Sequence, residues 1–253
     1  MTKLNQYKIF DSHFHIIDER FPLVANQGYL PAGFTVSDYL KRTTNYQIAG
    51  GAVVSGSFQA FDQSYLLAAL AELGPGFVGV TQLPETVSDE ELIDLNRAGI
   101  RAVRFNLKRG GSAGVEHLEV FAHRVYEVVG WHVELYIDSR DLPDLAEILV
   151  QLPAVCIDHL GLSSAGLPHL LALVEKGVFV KATGFGRVDF DVTSAVQKIV
   201  DVNPTALVFG TDLPSTRAPR PYLDDDYFQL IEALGEDLAH QVFYENGIKL
   251  YHA

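Results

Sequence analysis

The sequence is organised by a regular alternation of strand-like and helix-like segments. Apolar or alternating runs typical of strands recur about every 25 residues, and helix-compatible stretches separate them. The runs predicted as strands are 8–16, 51–58, 77–83, 100–107, 132–138, 154–161, 178–184 and 206–215. Helices are predicted over 35–48, over the stretch LPDLAEILVQL that precedes the sixth strand, and in the tail from Tyr222 onward. Parallel strands need a long crossover, usually a helix, whereas antiparallel strands can be joined by short turns. The alternation therefore predicts an α/β fold with a parallel sheet.

The number of strands selects among parallel-sheet architectures. About eight βα units in 253 residues suit a closed (β/α)8 barrel, or TIM barrel. An open doubly wound sheet is the alternative, but the first βα turn lacks the GxGxxG pattern of its dinucleotide-binding version. No Pro/Gly/Ser-rich linker, internal repeat or low-complexity tract divides the chain. We therefore predict a single barrel domain over 1–253, with its chemistry at the carboxyl ends of the strands.

The charge and the cysteine content restrict the partners and the compartment. The formal net charge is −13, which would repel nucleic acid and anionic membranes, so neither is expected as a partner. A small anionic substrate is compatible with this charge if basic residues line its pocket. Cys156 is the single cysteine, so no intramolecular disulfide can form, and a cytoplasmic location is expected. The sequence begins without the apolar segment of a signal peptide and has no apolar run long enough to span a membrane.

The first predicted strand, KIFDSHFHI at 8–16, ends in two histidines. Alternate residues of a strand point to the same face about 6.6 Å apart, so His13 and His15 are expected side by side. Two imidazoles at a strand end can bind a metal ion, or can polarise a substrate carbonyl without one. The structural alternative is a pair of histidines that fill hydrogen-bonding niches.

Polar side chains also end several other predicted strands. In strand 4, Arg104 lies on the face opposite Val103 and Phe105, and an arginine inside a barrel needs either an anionic ligand or a structural ion pair. Strand 5 has an unusual polar face, formed by His132, Glu134, Tyr136 and Asp138. Strand 6 ends at His159 and strand 8 at Asp212. Reactive groups at the ends of five strands predict a catalytic basin.

In their order along the chain, these motifs resemble the amidohydrolase superfamily, in the branch of 2-pyrone-4,6-dicarboxylate lactonase and related sugar lactonases. The resemblance runs from Lys8 to the end and rests on DSHFHI, SFQAFDQSYLLAAL, RAVRFNL, ELYID, DHLG, VKATGFGRV and VFGTDLP. It implies a distorted (β/α)8 barrel that hydrolyses a lactone or a similar ester. The catalytic residues that it implies are Asp212, His159, His13 and His15. The substrate-contacting residues that it implies are Ser57, Arg104, Tyr136, Arg109 and Arg187.

The sequence also departs from the pattern of this superfamily. Metal-dependent members usually end strand 5 with histidine, where this chain has Tyr136, and strand 4 contains no lysine that could bridge two metals. We therefore expect no metal, or one weakly held zinc or manganese ion bound by His13, His15, His159 and Asp212. After strand 6, the pyrone-dicarboxylate lactonase has a pattern like DHxGR, whereas this chain has Leu162 after Gly161. This difference argues against pyrone dicarboxylate as the substrate.

The expected reaction is the opening of a small anionic or sugar-derived lactone by a water that Asp212 activates. The histidines would polarise the carbonyl, and Arg104 would bind a carboxylate, with Arg187 and Arg217 as further candidates. Loop arginines such as Arg217 are ordinarily solvated. A metal-dependent decarboxylase of an unsaturated or aromatic acid and a catalytically silent binding protein are the alternatives. Lys181 is left unassigned between a place in the barrel floor and a pair with a carboxylate, and no oligomeric state is predicted.

Overall fold

Eight parallel strands form one sheet in which each strand pairs with the next along the chain. The computed structural model describes residues 3–253. Strands β1 to β8 are Lys8–Phe14, Gln47–Val54, Phe77–Thr81, Ile100–Phe105, His132–Leu135, Val155–Ile157, Phe179–Ala182 and Leu207–Phe209. The sheet closes where β1 ends, because the Asp212 amide donates to the His13 carbonyl and the His15 amide donates to the Leu213 carbonyl, each over 2.7 Å. The predicted (β/α)8 barrel is confirmed.

Helices connect the strands on the outside of the barrel. Helices α1 to α9 are Val36–Arg42, Ser64–Leu73, Asp89–Arg97, Leu118–Val129, Ala146–Leu149, Leu167–Glu175, Val192–Val202, Asp224–His240 and Asn246–Tyr251. Three of them start with a side-chain cap that accepts from an amide of the first turn, supplied by Thr35, Ser88 and Asp191. Across residues 3–253, none of these helices has the length together with the apolar composition that a membrane crossing requires.

The two faces of each strand have different environments. In β4, Val103 and Phe105 pack in the apolar layer between the strands and the helices, whereas Arg104 points into the barrel. Burying a side chain such as Phe105 contributes roughly 1.5–3 kcal/mol. A second apolar cluster includes Phe10, Ala52, Val54, Val80, Cys156 and Val208. Cys156 and Val208 pair in register with the buried charged residues Glu134 and Lys181, so the barrel interior contains apolar and charged side chains at the same level.

The start of the second strand differs from the prediction. A helix was expected over 35–48 and a strand over 51–58, but α1 ends at Arg42 and β2 begins at Gln47. Gly50 and Gly51 lie inside β2 because the neighbouring backbone is very close. A Cβ at Gly50 would lie 2.2 Å from the Gly76 carbonyl oxygen, and one at Gly51 would lie 2.6 Å from that of Asp11. Two glycines that look like a strand boundary are thus required within the strand.

The fifth helical segment is shorter than the pattern predicts. The stretch LPDLAEILVQL was expected as one helix, yet α5 covers only Ala146–Leu149 and follows a 3-10 segment at Ser139–Asp144. Pro143 lies inside that segment and has no amide hydrogen to donate. The tail beyond Tyr222 is helical, as predicted, through α8 and α9. The α8 helix bends at Gly235, whose φ of 71° is accessible to glycine.

Candidate active site

A polar pocket opens at the carboxyl ends of the strands, where the chemistry of such barrels is expected. Eight of the ten predicted site residues line it: His15, Ser57, Arg104, Arg109, Tyr136, His159, Arg187 and Arg217. The other two, His13 and Asp212, are fully buried directly behind this lining. The structure therefore brings all ten predicted residues together, although they come from seven different strands or the loops that follow them.

One carboxylate oxygen of Asp212 accepts a hydrogen bond, and the other has no hydrogen-bond partner in the described chain. Its Oδ2 accepts from Nε of Arg187 over 2.7 Å. Its Oδ1 is buried without a hydrogen-bond partner in the described chain and lies 3.8 Å from Nε2 of both His13 and His15. The backbone of Asp212 has a φ of 58°, a region that costs a non-glycine residue about 1–3 kcal/mol and is common at active sites. Arg187 thus fixes the orientation of a carboxylate whose second oxygen is free to react.

His15 is held in one tautomer by the backbone. Its Nδ1 lies 2.7 Å from the carbonyl oxygen of Val54, which can only accept, so Nδ1 carries the hydrogen. Burial, with a smaller contribution from the neighbouring His13, holds the pKa of His15 well below its ordinary value of 6.5. The ring is therefore neutral, and Nε2 presents a lone pair towards the free oxygen of Asp212 and the pocket.

His159 lines the pocket together with His15. Its Nδ1 lies 2.6 Å from the hydroxyl oxygen of Thr183, and its ring packs against that of His13 with centroids 4.8 Å apart. Burial, reinforced by the positive charge of Arg187, holds the pKa of His159 well below 6.5. Thr183 on the segment after β7 was not predicted as a site residue, and a lone threonine in an apolar run carries no signal of such a contact.

Asp158 was also missed as a site residue, although the sequence DHLG places it beside His159. Its Oδ2 accepts from Arg104 through Nη2 over 2.7 Å and through Nε over 3.0 Å. Its Oδ1 lies 3.4 Å from Nδ1 of His13. Burial alone would raise the pKa of Asp158, but Lys181 and Arg104 hold it well below its ordinary value. Asp158 is therefore a buried anion beneath the pocket.

Lys181, which the sequence left unassigned, lies in the barrel interior and pairs with a carboxylate. The ammonium donates to Oε2 of Glu134 and lies 3.4 Å from Oδ1 of Asp158. Glu134 also accepts from the Tyr251 hydroxyl over 2.5 Å and lies 3.3 Å from Nε2 of His132. Of the polar face predicted for strand 5, Glu134 and His132 thus belong to a buried ionic network under the pocket, whereas Tyr136 lines the pocket and Asp138 pairs with Lys108 and Arg140.

The four pocket arginines fall into two classes. Arg104 is paired with Asp158, and Arg187 is paired with Asp212, so each of these arginines already has an internal anion. Arg109 and Arg217 have no carboxylate partner among residues 3–253. The positive charge of the outer pocket that is available to a ligand therefore comes chiefly from Arg109 and Arg217.

Arg217 is not a freely solvated loop residue. Its guanidinium donates to the side-chain oxygen of Asn26 over 3.1 Å, donates to the Asn26 carbonyl, and lies 4.4 Å from the ring centroid of Tyr29. The Asn26 amide in turn donates to the Arg109 carbonyl over 3.2 Å. Repulsion from Arg109, added to a larger effect of burial, lowers the pKa of Arg217. The loop after β1 therefore contacts both arginines, through the guanidinium of Arg217 and through the backbone of Arg109.

The buried histidines make stability depend on pH. Burial lowers the pKa of His13, His15, His132 and His159, so these rings stay neutral in the folded protein below pH 6.5, where the unfolded chain binds protons. We expect the free energy of unfolding to fall below about pH 6.5, by up to about 1.4 kcal/mol per pH unit for each histidine. Burial raises the pKa of Asp11 from 3.8 to about 6. Protonation of Asp11 therefore increases the free energy of unfolding as the pH falls below about 6, opposite to the effect of the histidines.

Urea unfolding at about pH 7.5 and about pH 5.5 measures this dependence. The lower pH should give a lower transition midpoint with an unchanged slope. An equal or higher midpoint at about pH 5.5 would show that the buried rings are already protonated in the folded protein.

The same cluster could hold one divalent metal ion. Ligand atoms of His13, His159 and Asp212 all lie within 4.8 Å of one another, and imidazole nitrogens with a carboxylate suit zinc or manganese. The unpaired Nε2 of His13 and Oδ1 of Asp212 are the atoms that such an ion would satisfy. The fit requires Nε2 of His13 to carry a lone pair, so it depends on the tautomer that the surroundings of Nδ1 impose.

Comparison with solved structures supports the fold. An Agrobacterium tumefaciens protein in its apo form superposes with a TM-score of 0.86 at 21% identity, covering 98% of this chain and 97% of that one. A probable 2-pyrone-4,6-dicarboxylic acid hydrolase from Acinetobacter baumannii with citric acid bound superposes with a TM-score of 0.83 at 21% identity, covering 97% and 99%. At this level of identity these likenesses describe the fold.

Comparison of sequences identifies the family. The chain is 24% identical to the 2-pyrone-4,6-dicarbaxylate hydrolase of Comamonas testosteroni, over 95% of this chain and 89% of that protein. It is 27% identical to the 4-sulfomuconolactone hydrolase of Rhizobium radiobacter, over 96% and 89%. The model of the family described as amidohydrolase matches residues 10–253. The resemblance inferred from the motifs is confirmed, and the chain belongs to the amidohydrolase family.

Proposed function

We propose that this protein is a lactonase, which opens a small carboxylated lactone with water activated by Asp212. The observation that carries the proposal is the free, buried Oδ1 of Asp212 at the base of a pocket whose mouth presents two arginines without carboxylate partners. The relatives named above are hydrolases of lactones that bear carboxylate or sulfonate groups, which agrees with such a pocket. A water-activating carboxylate beside a basic pocket is what this reaction requires.

Asp212 acts as the general base. A water placed between its Oδ1 and the lactone carbonyl loses a proton to the carboxylate as its oxygen forms the new bond to carbon. The ring C–O bond then breaks, and the proton held by Asp212 passes to the departing alkoxide, which leaves a carboxylic acid and a hydroxyl group. The Arg187 contact keeps Oδ2 occupied, so Oδ1 is the oxygen that takes the proton.

The histidines have separate tasks in this reaction. The neutral His15 presents a lone pair at Nε2, so it accepts a hydrogen bond from the attacking water and orients it towards the carbonyl. A carbonyl oxygen that becomes negative needs donors, and His13 and His159 are the imidazoles beside Asp212 that can supply N–H groups. We favour this arrangement without a metal, and one zinc or manganese ion bound by His13, His15, His159 and Asp212 is the alternative that the test below distinguishes.

The substrate carboxylate binds at the pocket mouth. Arg109 and Arg217 have charges that no carboxylate of residues 3–253 neutralises, and charge-assisted bonds from arginine to a carboxylate are among the strongest hydrogen bonds in proteins. Ser57 and Tyr136 line the same pocket and can contact the lactone ring or its substituents. A local basic mouth on a chain of net charge −13 attracts a small anion where the rest of the surface repels it.

A hydrolysis panel tests the function and the substrate class together. We expect release of acid from carboxylated lactones such as muconolactones and pyrone carboxylates, with kcat/KM about 10²-fold above that for neutral sugar lactones, since losing a charged contact costs about 1.5–3 kcal/mol. Arg217→Gln should remove most of this preference and leave neutral lactones unaffected. A pH indicator follows the reaction, and Arg220→Gln, whose side chain pairs with Asp226, is the matched control.

Three outcomes of the panel would contradict the proposal. Tight binding of lactones with no turnover would indicate a binding protein, and release of carbon dioxide from unsaturated acids would indicate a decarboxylase. Chelator-sensitive activity together with stoichiometric zinc or manganese by elemental analysis would replace the metal-free arrangement by a metal-dependent one.

A further inference from the structure

Lys181 lies directly under His13 and has three acceptor atoms around its ammonium group. It is completely buried on β7. Its Nζ donates to Oε2 of Glu134, lies 3.2 Å from Nδ1 of His13 and lies 3.4 Å from Oδ1 of Asp158. An ammonium group has three hydrogens and no lone pair, so it can only donate in each of these contacts. Glu134 and His13 therefore accept two of these hydrogens, and Oδ1 of Asp158, which has no hydrogen-bond partner in the described chain, makes an ionic contact with the ammonium.

The charges around Lys181 keep it an ammonium. Burial alone would lower the pKa of this lysine, but Glu134 and Asp158 outweigh burial and raise it above its ordinary value. Lys181 in turn overcomes the effect of burial on Glu134 and lowers the pKa of that carboxyl to about 2. Both partners are therefore charged at neutral pH, and Lys181 donates rather than accepts.

A donor at Nδ1 decides where the hydrogen of His13 lies. A neutral imidazole has one N–H and one lone pair, and a nitrogen that accepts from Lys181 cannot also carry a hydrogen. A doubly protonated ring would have no lone pair at Nδ1, so the 3.2 Å contact with the ammonium requires a ring that carries a single hydrogen. The hydrogen therefore lies on Nε2, which is 3.8 Å from Oδ1 of Asp212 and points into the site.

Asp158 competes for the same nitrogen, because its Oδ1 lies 3.4 Å from Nδ1 of His13 and would accept a hydrogen there. That distance is long for an N–H···O bond, whereas the Lys181 contact is shorter. A hydrogen on Nδ1 would also face the ammonium hydrogens of Lys181 across 3.2 Å. The lysine contact therefore outweighs the aspartate contact.

We infer that Lys181 is a positioning residue that holds His13 in the Nε2–H form, so that the two histidines of the HxH motif carry opposite tautomers. His13 donates into the site, whereas His15, whose Nδ1–H is bound by the Val54 carbonyl, accepts. For catalysis the inference rests on the proposed function, in which the Nε2–H of His13 stabilises the negative carbonyl oxygen. An Nε2–H cannot ligate a metal, so this arrangement does not fit an ion held by both histidines.

Two-bond ¹H–¹⁵N correlation NMR of the unaltered protein, labelled with ¹⁵N-histidine, tests the inference directly. This spectrum distinguishes protonated from unprotonated ring nitrogens and assigns the hydrogen to Nδ1 or Nε2. Signals are assigned with His13→Gln and His15→Gln. We expect the Nε2–H pattern for His13 and the Nδ1–H pattern for His15 at neutral pH. The Nδ1–H pattern or a doubly protonated ring at His13 would overturn the inference.

A double variant tests whether Lys181 is the cause. Lys181→Met with Glu134→Gln removes the ammonium without leaving a buried, unpaired carboxylate. His13 should then move its hydrogen to Nδ1 and donate to Asp158, while the pattern of His15 stays the same. The freed lone pair at Nε2 should tighten zinc binding by about tenfold, measured by competition with a chromophoric chelator. An unchanged Nε2–H pattern at His13 in the variant would remove Lys181 from this role.

The NMR result is independent of the reaction. If His13 carries its hydrogen on Nε2 but the protein opens no lactone, the inference stands and the proposed function is wrong. If the protein is an active lactonase but His13 carries its hydrogen on Nδ1, the proposed function stands and Lys181 does not have this role. If the double variant does not fold, the spectrum of the unaltered protein still decides the tautomer.

Discussion

We expect Asp212→Asn to lower kcat for lactone opening by about 10²–10⁴-fold, the range that follows removal of a general base. Asparagine has the same shape and can still accept from Nε of Arg187 through its amide oxygen, which keeps the loop after β8 in place. Its NH₂ group then occupies the position of the free Oδ1 and has no lone pair for the proton of water. The variant is thus expected to lose the chemistry while the site keeps its form.

Steady-state kinetics with circular dichroism checks this expectation. KM should change little, because the proposed function assigns the carboxylate of the substrate to Arg109 and Arg217, which line the same pocket. Asp201→Asn, at an exposed position of α7, is the matched control and should retain full activity. Turnover within tenfold of the unaltered protein would assign the base to a group other than Asp212.

The positions of the reactive residues were predictable because strand periodicity is local. Alternation along β1 and β4 tells which side chains share a face, and parallel strands bring their carboxyl ends to one edge of the barrel. Spacing alone therefore placed three side chains, those of His13, His15 and Arg104, in one catalytic basin. The pocket indeed contains them or lies directly above them.

The pairing of these residues was not predictable, because it depends on contacts between distant strands. Arg104 on β4 meets Asp158 after β6, and Lys181 on β7 reaches His13 on β1. Neither the sign nor the spacing of charges in the sequence indicates which arginine is neutralised internally and which remains for a ligand. The tautomers of the histidines follow from such contacts, so they too required the three-dimensional arrangement.

The glycine pair in β2 is a second feature that the sequence did not predict. Gly50 and Gly51 have the composition of a strand boundary, yet the backbones of Gly76 and Asp11 approach so closely that no side chain would fit. Such a requirement comes from neighbouring strands and turns rather than from local propensity. The boundary of β2 was wrong for that reason, while the existence of the strand was correct.

The structural and the substrate-binding interpretations of Arg104 predict different effects of its replacement on the stability of the protein. Its guanidinium donates twice to Asp158 and once to the Ser55 carbonyl over 2.9 Å, and it lies at the inner wall of the pocket. Arg104→Met leaves the buried Asp158 carboxylate without its main partner. Breaking a buried ion pair in this way costs about 3–5 kcal/mol, and we expect the lower end because Lys181 still faces Asp158.

Chemical unfolding separates the two interpretations when Arg104→Met is compared with Arg109→Met. Arg109 has no carboxylate partner among the described residues, so its variant should change the free energy of unfolding by less than about 0.5 kcal/mol and should raise KM for carboxylated lactones. Arg104→Met should instead lose about 3 kcal/mol. If Arg104→Met were as stable as the unaltered protein but bound the substrate poorly, Lys181 alone would neutralise Asp158, and Arg104 would belong to the anion site with Arg109 and Arg217.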